Sequence, residues 1–352
     1  MDEELKVFLA VWIWTFAALY YCYSAVSQIP KGTMRLLALL PIFFFLTVLP
    51  LKLSSFHLGL LAVTSLTWLC NFKVLLFAFD KGPLAESRNL LHFISVACLP
   101  VKPQSPADRT HAQSRDALVM PRNVLLAIKV VLLALIFKAY AYRPLMHPYL
   151  ASALYCVQVY LQAELLMAIF VIPARALIGP ELDPQFNEPY LATSLQDFWG
   201  HRWNLFVSGL LRATVYHPAR SLFAPVTGHK FASPLAMIAT FTVSGLMHEL
   251  IYYYVSRVRP TWEVTWFFVL QGVCVVAEVA AKRSLGRWWR LHRAVSGPLT
   301  VAFVMVTSVW LFLPQVTRNG VDDKAMEELY GLLCSGKESF SAFAKLGKST
   351  SM

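Results

Sequence analysis

FASPLAMIATFTVSGLMHELIYYYV, residues 231–255, is an apolar stretch that carries two adjacent ionisable residues, His248 and Glu249, in its second half. About 17–25 apolar residues cross the hydrocarbon core of a bilayer as a helix, so its length predicts a span. A titratable group at bilayer depth costs roughly 2.5–3.5 kcal/mol on insertion scales and persists mainly where it faces a bundle interior or a cavity. His248 is therefore the first place to look for chemistry. A plainer role, hydrogen bonding to a neighbouring helix, fits the residue type equally well.

Working outward, the 352-residue chain is 57% hydrophobic and 14% charged, with a mean hydropathy of +0.54. Soluble domains carry roughly 25% charged residues. The composition predicts an all-α, polytopic transmembrane bundle. Eight apolar runs are candidates for spans, at 7–24, 36–51, 56–79, 123–142, 149–172, 234–255, 262–281 and 298–314, with Pro41 able to kink the second. One transmembrane domain over 1–314, with its core at roughly 173–281, and a partly disordered tail over 315–352 follow from this pattern.

The net charge of +11 suggests nucleic acid only until its distribution is read. Connections 25–35, 80–122, 173–233 and 282–297 hold 18 lysines and arginines, against 5 in the alternate connections ahead of the tail. The positive-inside rule then puts the amino terminus outside the cytosol. Trp12, Trp14, Trp262, Trp266, Trp288 and Trp289 fall near predicted helix ends, as interfacial aromatics do. Contact with membrane lipid, not nucleic acid, accounts for the basicity. MDEELK carries acid ahead of the first apolar run and no small-residue cleavage site follows it, so the run reads as a retained anchor. The six cysteines show no metal or redox spacing and read as small core hydrophobes.

The connection at 173–233 opens with the Pro- and Gly-punctuated PARALIGPELDPQFNEPYLATS and then changes character. From Ser194, a plausible N-cap with Asp197 three residues on, SLQDFWGHRWNLFVSGLLRATVY predicts one amphipathic helix. On it Asp197, His201, Asn204 and Ser208 form a polar stripe among Phe198, Trp199, Trp203 and Leu205. The stripe either faces the membrane interface or turns inward against His248. In the second case the two supply the acid–base and hydrogen-bonding groups of a buried transfer site.

Four strings in order, LSSFHLG (53–59), NFKVLLFAF (71–79), DFWGHRWN (197–204) and SGLMHELIYY (244–253), make the chain resemble the plant wax synthases. These are long-chain-alcohol O-fatty-acyltransferases of the membrane-bound O-acyltransferase superfamily. The resemblance covers most of the chain from 36 to about 314. It implies a bundle with a buried reaction tunnel, His248 as the catalytic histidine and Asn204 as the polar residue of the second motif. It also implies substrate contacts by Asp197, Trp199, Arg202, Trp203 and Glu249. Position 201 is more often Arg in such sequences, so His201 departs from the pattern and takes no catalytic role. Fatty acyl-CoA as co-substrate, no cofactor or metal, a long-chain alcohol or a sterol as acceptor, and the endoplasmic reticulum membrane complete what the resemblance implies.

The residue chemistry leads to the same reaction. Neutral imidazole, with an unperturbed pKa near 6.5, suits removal of a hydroxyl proton. Glu249 lies about 100° round a helix from His248 and is expected to pair with another helix, through Lys73, Lys129 or Lys138. Arg202, Arg212, Arg220 and Lys230, or Lys282, Arg283, Arg287, Arg290 and Arg293, are candidates to meet CoA phosphates or anionic lipid. His111–Asp116 matches the H-x-x-x-x-D of glycerolipid acyltransferases but lacks apolar flanks and reads as chance. No G-x-S-x-G, Walker A or G-x-G-x-x-G string occurs. A lipid transporter using His248, Glu249, Glu164 and Glu278 as a polar path is the competing class, and internal repeats, its usual companion, are not visible.

Overall fold

A computed structural model describes residues 2–102, 121–179, 182–285, 291–328 and 331. His111, Asp116, Arg287, Arg290, Trp288, Trp289, Cys334 and the distal tail lie outside the described residues. Among the described residues the apolar runs become eight helices long and apolar enough to cross a membrane, and there is no β-strand. They are α1 (Glu3–Gln28), α2 (Thr33–Lys52), α3 (Phe56–Ala78), α5 (Arg122–Leu145), α6 (Pro148–Leu177), α7 (Leu205–Ser256), α8 (Glu263–Leu285) and α9 (Arg293–Thr317). A short helix between the third and fourth spans is α4 (Leu90–Cys98), capped by the Asn89 side chain, which accepts from His92 N at 2.9 Å.

α3 is the central post, with 72% of its most apolar window buried, whereas the corresponding values for α5 and α6 are 11% and 17%. The core beside α3 packs Leu19, Leu39, Leu46, Cys70, Val74 and Phe93 from the first four helices. Lys73 is wholly buried there because its ammonium donates to the carbonyls of Val96, Ala97 and Leu99 at the carboxyl end of α4, at 2.5, 3.4 and 2.7 Å. Orphan carbonyls at a helix end favour such a cation. Pro41 leaves α2 continuous. Five cysteines are free and packed or partly packed.

α7 departs from the expected simple span. Its 52 residues turn back on themselves at Gly228, whose φ of 76° and ψ of 158° are accessible to glycine but not to a residue with a Cβ. Phe206, Leu210 and Leu211 of the first arm therefore pack with Val243, Met247 and Ile251 of the second, and with Trp68 and Leu69 of α3. The second arm meets α8 at unusually short range. A Cβ on Gly245 would stand 2.8 Å from the Thr265 Cα, and one on Gly272 would stand 2.9 Å from the Phe241 Cβ. Small residues permit this approach where no hydrophobic force drives helices together.

Two expectations require correction. Glu249 pairs with none of the three lysines; it accepts from Thr265 N at 3.2 Å across the α7–α8 contact. The chain after Thr317 also continues as ordered structure to Glu328, with Val316 and Val321 packed against Val255, so the bundle does not stop at 314.

Candidate active site

The expected single helix from Ser194 is broken, and the break builds the site. Ser194 does cap, accepting from Asp197 N at 3.1 Å, while Asp197 Oδ2 accepts from Thr193 N at 3.2 Å, close to the reciprocal pattern read from sequence. Glu278 of α8 accepts Leu195 N at 2.7 Å, satisfying a further amide of that end. Residues 198–202 then form a π-helical turn, a geometry common at functional sites. Trp203 is extended and Asn204 adopts the left-handed conformation at φ 37° and ψ 65°, which asparagine tolerates better than most residues. From there α7 starts afresh: Asn204 Oδ1 accepts from Val207 N at 3.2 Å. Because that amide can only donate, the Asn204 oxygen is committed to the cap and its NH2 is left to point elsewhere.

His248 sits on the second arm of α7. Its Nδ1 lies 2.7 Å from the Ser244 carbonyl oxygen. A carbonyl can only accept, so Nδ1 carries the proton, and in the neutral ring Nε2 is left with its lone pair. The ring is fixed by Phe268 of α8, stacked at 4.4 Å and 27°, by Trp68 of α3 edge-on at 5.1 Å, and by Phe312 beyond α9's midpoint at 5.8 Å.

His248 borders two cavities. One, of about 420 Å³, lies between the arms of α7 and the 196–204 segment, and its polar lining includes Asn204, Ser208, His201, Gln196 and Arg212. The other, of about 430 Å³, is walled mainly by apolar side chains of α5, α6 and α9, such as Ile128, Val157, Leu161, Val301 and Met305. Trp199, Trp203, Phe268 and His248 line both, so they form the partition. Trp199 is held in it by Gln271 at 3.1 Å, itself bonded to Thr307 at 2.8 Å. A larger cavity of about 920 Å³ opens at the end of the bundle where the chain begins and touches the apolar one only through Leu313.

The sequence-derived residues are thus distributed unevenly. Asn204, Trp199, Trp203 and His248 come together. Asp197 and Arg202 line neither of the cavities at His248; they pair at 2.8 Å, and Arg202 also donates to the carbonyls of Asn187 and Glu188, at 3.1 and 3.3 Å, bracing the loop that carries Trp203. Glu249 is buried and lines neither cavity. Of the basic candidates Arg212 reaches the polar cavity, Arg220 and Lys230 are exposed near the Gly228 corner, and Lys282 pairs with Glu278 at 2.5 Å. Glu164 is bound to Lys129 and Glu278 to Lys282, so the acids of the transporter reading are tied to separate partners. Trp68, Phe268 and Phe312 were missed, because aromatic residues in apolar runs look like ordinary core.

Residues 182–270, which hold the 196–204 segment, both arms of α7 and His248, match the membrane bound O-acyl transferase family. The chain is 48% identical to a long-chain-alcohol O-fatty-acyltransferase of Simmondsia chinensis over 93% of its own length and 94% of that protein's. The chain belongs to this family of membrane-bound O-acyltransferases. An Arabidopsis thaliana relative named probable long-chain-alcohol O-fatty-acyltransferase 1 is 45% identical, with 93% and 96% covered. Acyl-CoA–sterol O-acyltransferase 1 of the same plant is 41% identical, with 91% and 93% covered. The family membership expected from the four strings is thereby shown, and the eight long apolar helices fit the multi-pass bundle expected from the composition.

Proposed function

We propose that the protein transfers a fatty acyl group from acyl-CoA to the hydroxyl of a long-chain alcohol, releasing CoA and a wax ester, with His248 as the general base. The observation that carries this reading is the lone pair of Nε2 at the wall between a polar cavity and an apolar one. Acyl-CoA occupies the polar cavity with its thioester at the partition, and Arg212 at the lining suits the phosphates. The alcohol enters the apolar cavity from the bilayer, past α5 and α6.

As the alcohol oxygen attacks the thioester carbonyl carbon, Nε2 takes the hydroxyl proton. The C–O bond forms, the C–S bond breaks, and the proton passes from Nε2 to the CoA sulfur as thiol. Transfer is direct, with no acyl-enzyme. The free NH2 of Asn204 donates to the developing oxyanion, a contact that in acyl-transfer sites contributes about 2.7–4 kcal/mol. Trp199 and Trp203 shape the partition. Asp197 and Arg202 position it through the loop, and Glu249 fixes α8 against α7. The thioester brings its own activation, so the step calls on acyl-CoA as co-substrate and on no further cofactor. The excess of basic residues on one set of connections supports an endoplasmic reticulum orientation with the polar cavity open to the cytosol.

The similarity to a sterol acyltransferase keeps a sterol as the second acceptor reading. Microsomes from yeast expressing the chain, given labelled palmitoyl-CoA with hexadecanol or with a sterol, separate the two. Hexadecyl palmitate is expected to exceed steryl ester. Steryl ester in excess would move the acceptor to the sterol class, and no ester with either would remove the transferase reading.

A further inference from the structure

The wall between the two cavities at His248 holds a polar tie that the proposed transfer step does not use. Trp199 faces both cavities and is held from three helices. Its carbonyl oxygen accepts from the Ser208 hydroxyl of α7 at 3.1 Å. Its indole N–H donates to Gln271 Oε1 of α8 at 3.1 Å, and Gln271 Nε2 donates to Thr307 Oγ1 of α9 at 2.8 Å. Thr307 in turn donates to the Phe303 carbonyl at 2.8 Å, which leaves its oxygen as an acceptor towards Gln271. An indole nitrogen can only donate, so the amide is fixed with its oxygen end towards Trp199.

Gln271 is wholly buried on a helix whose other buried residues, Val264, Phe267, Phe268, Gly272 and Val275, are apolar or small. An amide at this depth is costly unless it is paired, so an aliphatic side chain would serve packing alone better. The rings of Phe241, Phe267 and Phe268 also meet the indole, at 5.8, 6.2 and 6.0 Å. Ring contacts of this kind tolerate several orientations, whereas the hydrogen bond from the indole nitrogen selects one. The cavities on either side measure about 420 and 430 Å³, and a displaced indole would join them. A methylene chain needs only a slim passage; the fused rings of a sterol are rigid and wide.

We propose that Gln271 is a positioning residue: by holding Trp199 across the wall it keeps the acceptor cavity narrow, admitting an unbranched long-chain alcohol and excluding a fused-ring one. This rests on the reading of the apolar cavity as the acceptor's. His248 is stacked on Phe268 and bonded to the Ser244 carbonyl, so its orientation does not depend on the tie. Selection of the acceptor is therefore separable from its deprotonation.

The test uses membranes of yeast expressing the full chain, with palmitoyl-CoA and either hexadecanol or a sterol, and membranes without the chain as background. Wild type is expected to give the higher kcat/KM with hexadecanol. Gln271→Leu, which leaves the indole without an acceptor, should raise the sterol-to-hexadecanol ratio at least about tenfold, the low end of what one misfitting group is worth in an apolar pocket. For hexadecanol its KM should rise while kcat per folded molecule holds, as when binding is loosened and chemistry is not. Gln271→Glu, which keeps an oxygen at that place, should bring the ratio back towards wild type. Where Gln271→Leu does not accumulate, Thr307→Val, which removes the other end of the tie, makes the same comparison. A ratio unchanged by the loss of the tie, or shifted as far by Gln271→Glu as by Gln271→Leu, would overturn the proposal. A wild type that prefers the sterol would also overturn it and leave acyl transfer standing. No ester from either acceptor with wild type would instead remove the transferase reading on which the proposal rests.

Discussion

At the scale of single residues, Asn204 does two things with opposite ends of one amide. Its oxygen starts α7 by accepting from Val207 N, and its nitrogen is free beside the partition. Asn204→Asp keeps the oxygen and the tolerance of a left-handed backbone but loses the N–H, so ester formation should fall about 10²–10³-fold with thermal stability almost unchanged. Asn204→Ala should lose the cap as well, at about 1 kcal/mol of stability. Comparing turnover with melting temperature for the two variants checks this; equal losses of stability would deny the division of labour. His248 was legible in the sequence because a titratable group at bilayer depth is conspicuous against its neighbours. Asn204 was legible through its motif, yet its backbone was not. A run such as SLQDFWGHRWNLFVSG satisfies helical periodicity, and nothing local announces that Trp203 extends and Asn204 reverses. The partners of Lys129 are not legible in the sequence, since Glu164 and Glu188 lie 35 and 59 positions away along the chain.

At the scale of elements, hydropathy revealed the eight spans because each must carry a long apolar run to lie in lipid. It did not reveal that α7 is a hairpin, since Gly228 is one glycine in an otherwise helix-compatible stretch. Gly228→Ala should cost about 1–3 kcal/mol through backbone strain alone, because no neighbour stands within 4 Å of the added Cβ. The α7–α8 contact is a different case. Gly245→Ala drives a Cβ into the Thr265 backbone and within 3.3 Å of Phe268 Cβ, and Phe268 is the ring stacked on His248. Overpacking of this kind costs about 1–3 kcal/mol, and the displaced ring should lower kcat well beyond the loss of folded protein. Activity per folded molecule, measured for both glycine variants, should fall for Gly245→Ala and hold for Gly228→Ala.

At the scale of the molecule, the segment after α9 packs back onto the end of the bundle where the chain begins, beside the cavity that opens there. Glu328 accepts from Phe56 N at 2.6 Å and His57 N at 3.2 Å, and its carboxylate meets the Ser55 hydroxyl at 2.9 Å and the His57 ring at 3.1 Å. Burial alone would raise this carboxyl; the two amides and the His57 and Ser55 side chains outweigh burial and hold it below the ordinary carboxylate value. A depressed carboxyl stabilises the fold fully above its unfolded value, and that contribution is lost as pH falls through the lower, folded value. Hydrogen exchange over 320–328 should therefore rise at acid pH in the wild type, while Glu328→Gln, weakened by roughly 1 kcal/mol at neutral pH, should show little further change. Exchange that is flat with pH in both would contradict this. The same long-range packing explains why 315–328 looked like a tail: its partners Ser55, Phe56 and Val255 are remote in sequence.

The chemistry rests on His248 at the partition between the cavities. The most direct measurement is single-turnover transfer from labelled palmitoyl-CoA to hexadecanol by purified wild type and His248→Ala, with binding of a non-reactive acyl-CoA thioether measured on the same samples. In His248→Ala the thioether should still bind while the transfer rate falls at least about 100-fold, the usual range for loss of a general base. Retained binding with transfer within a few-fold of wild type would contradict it.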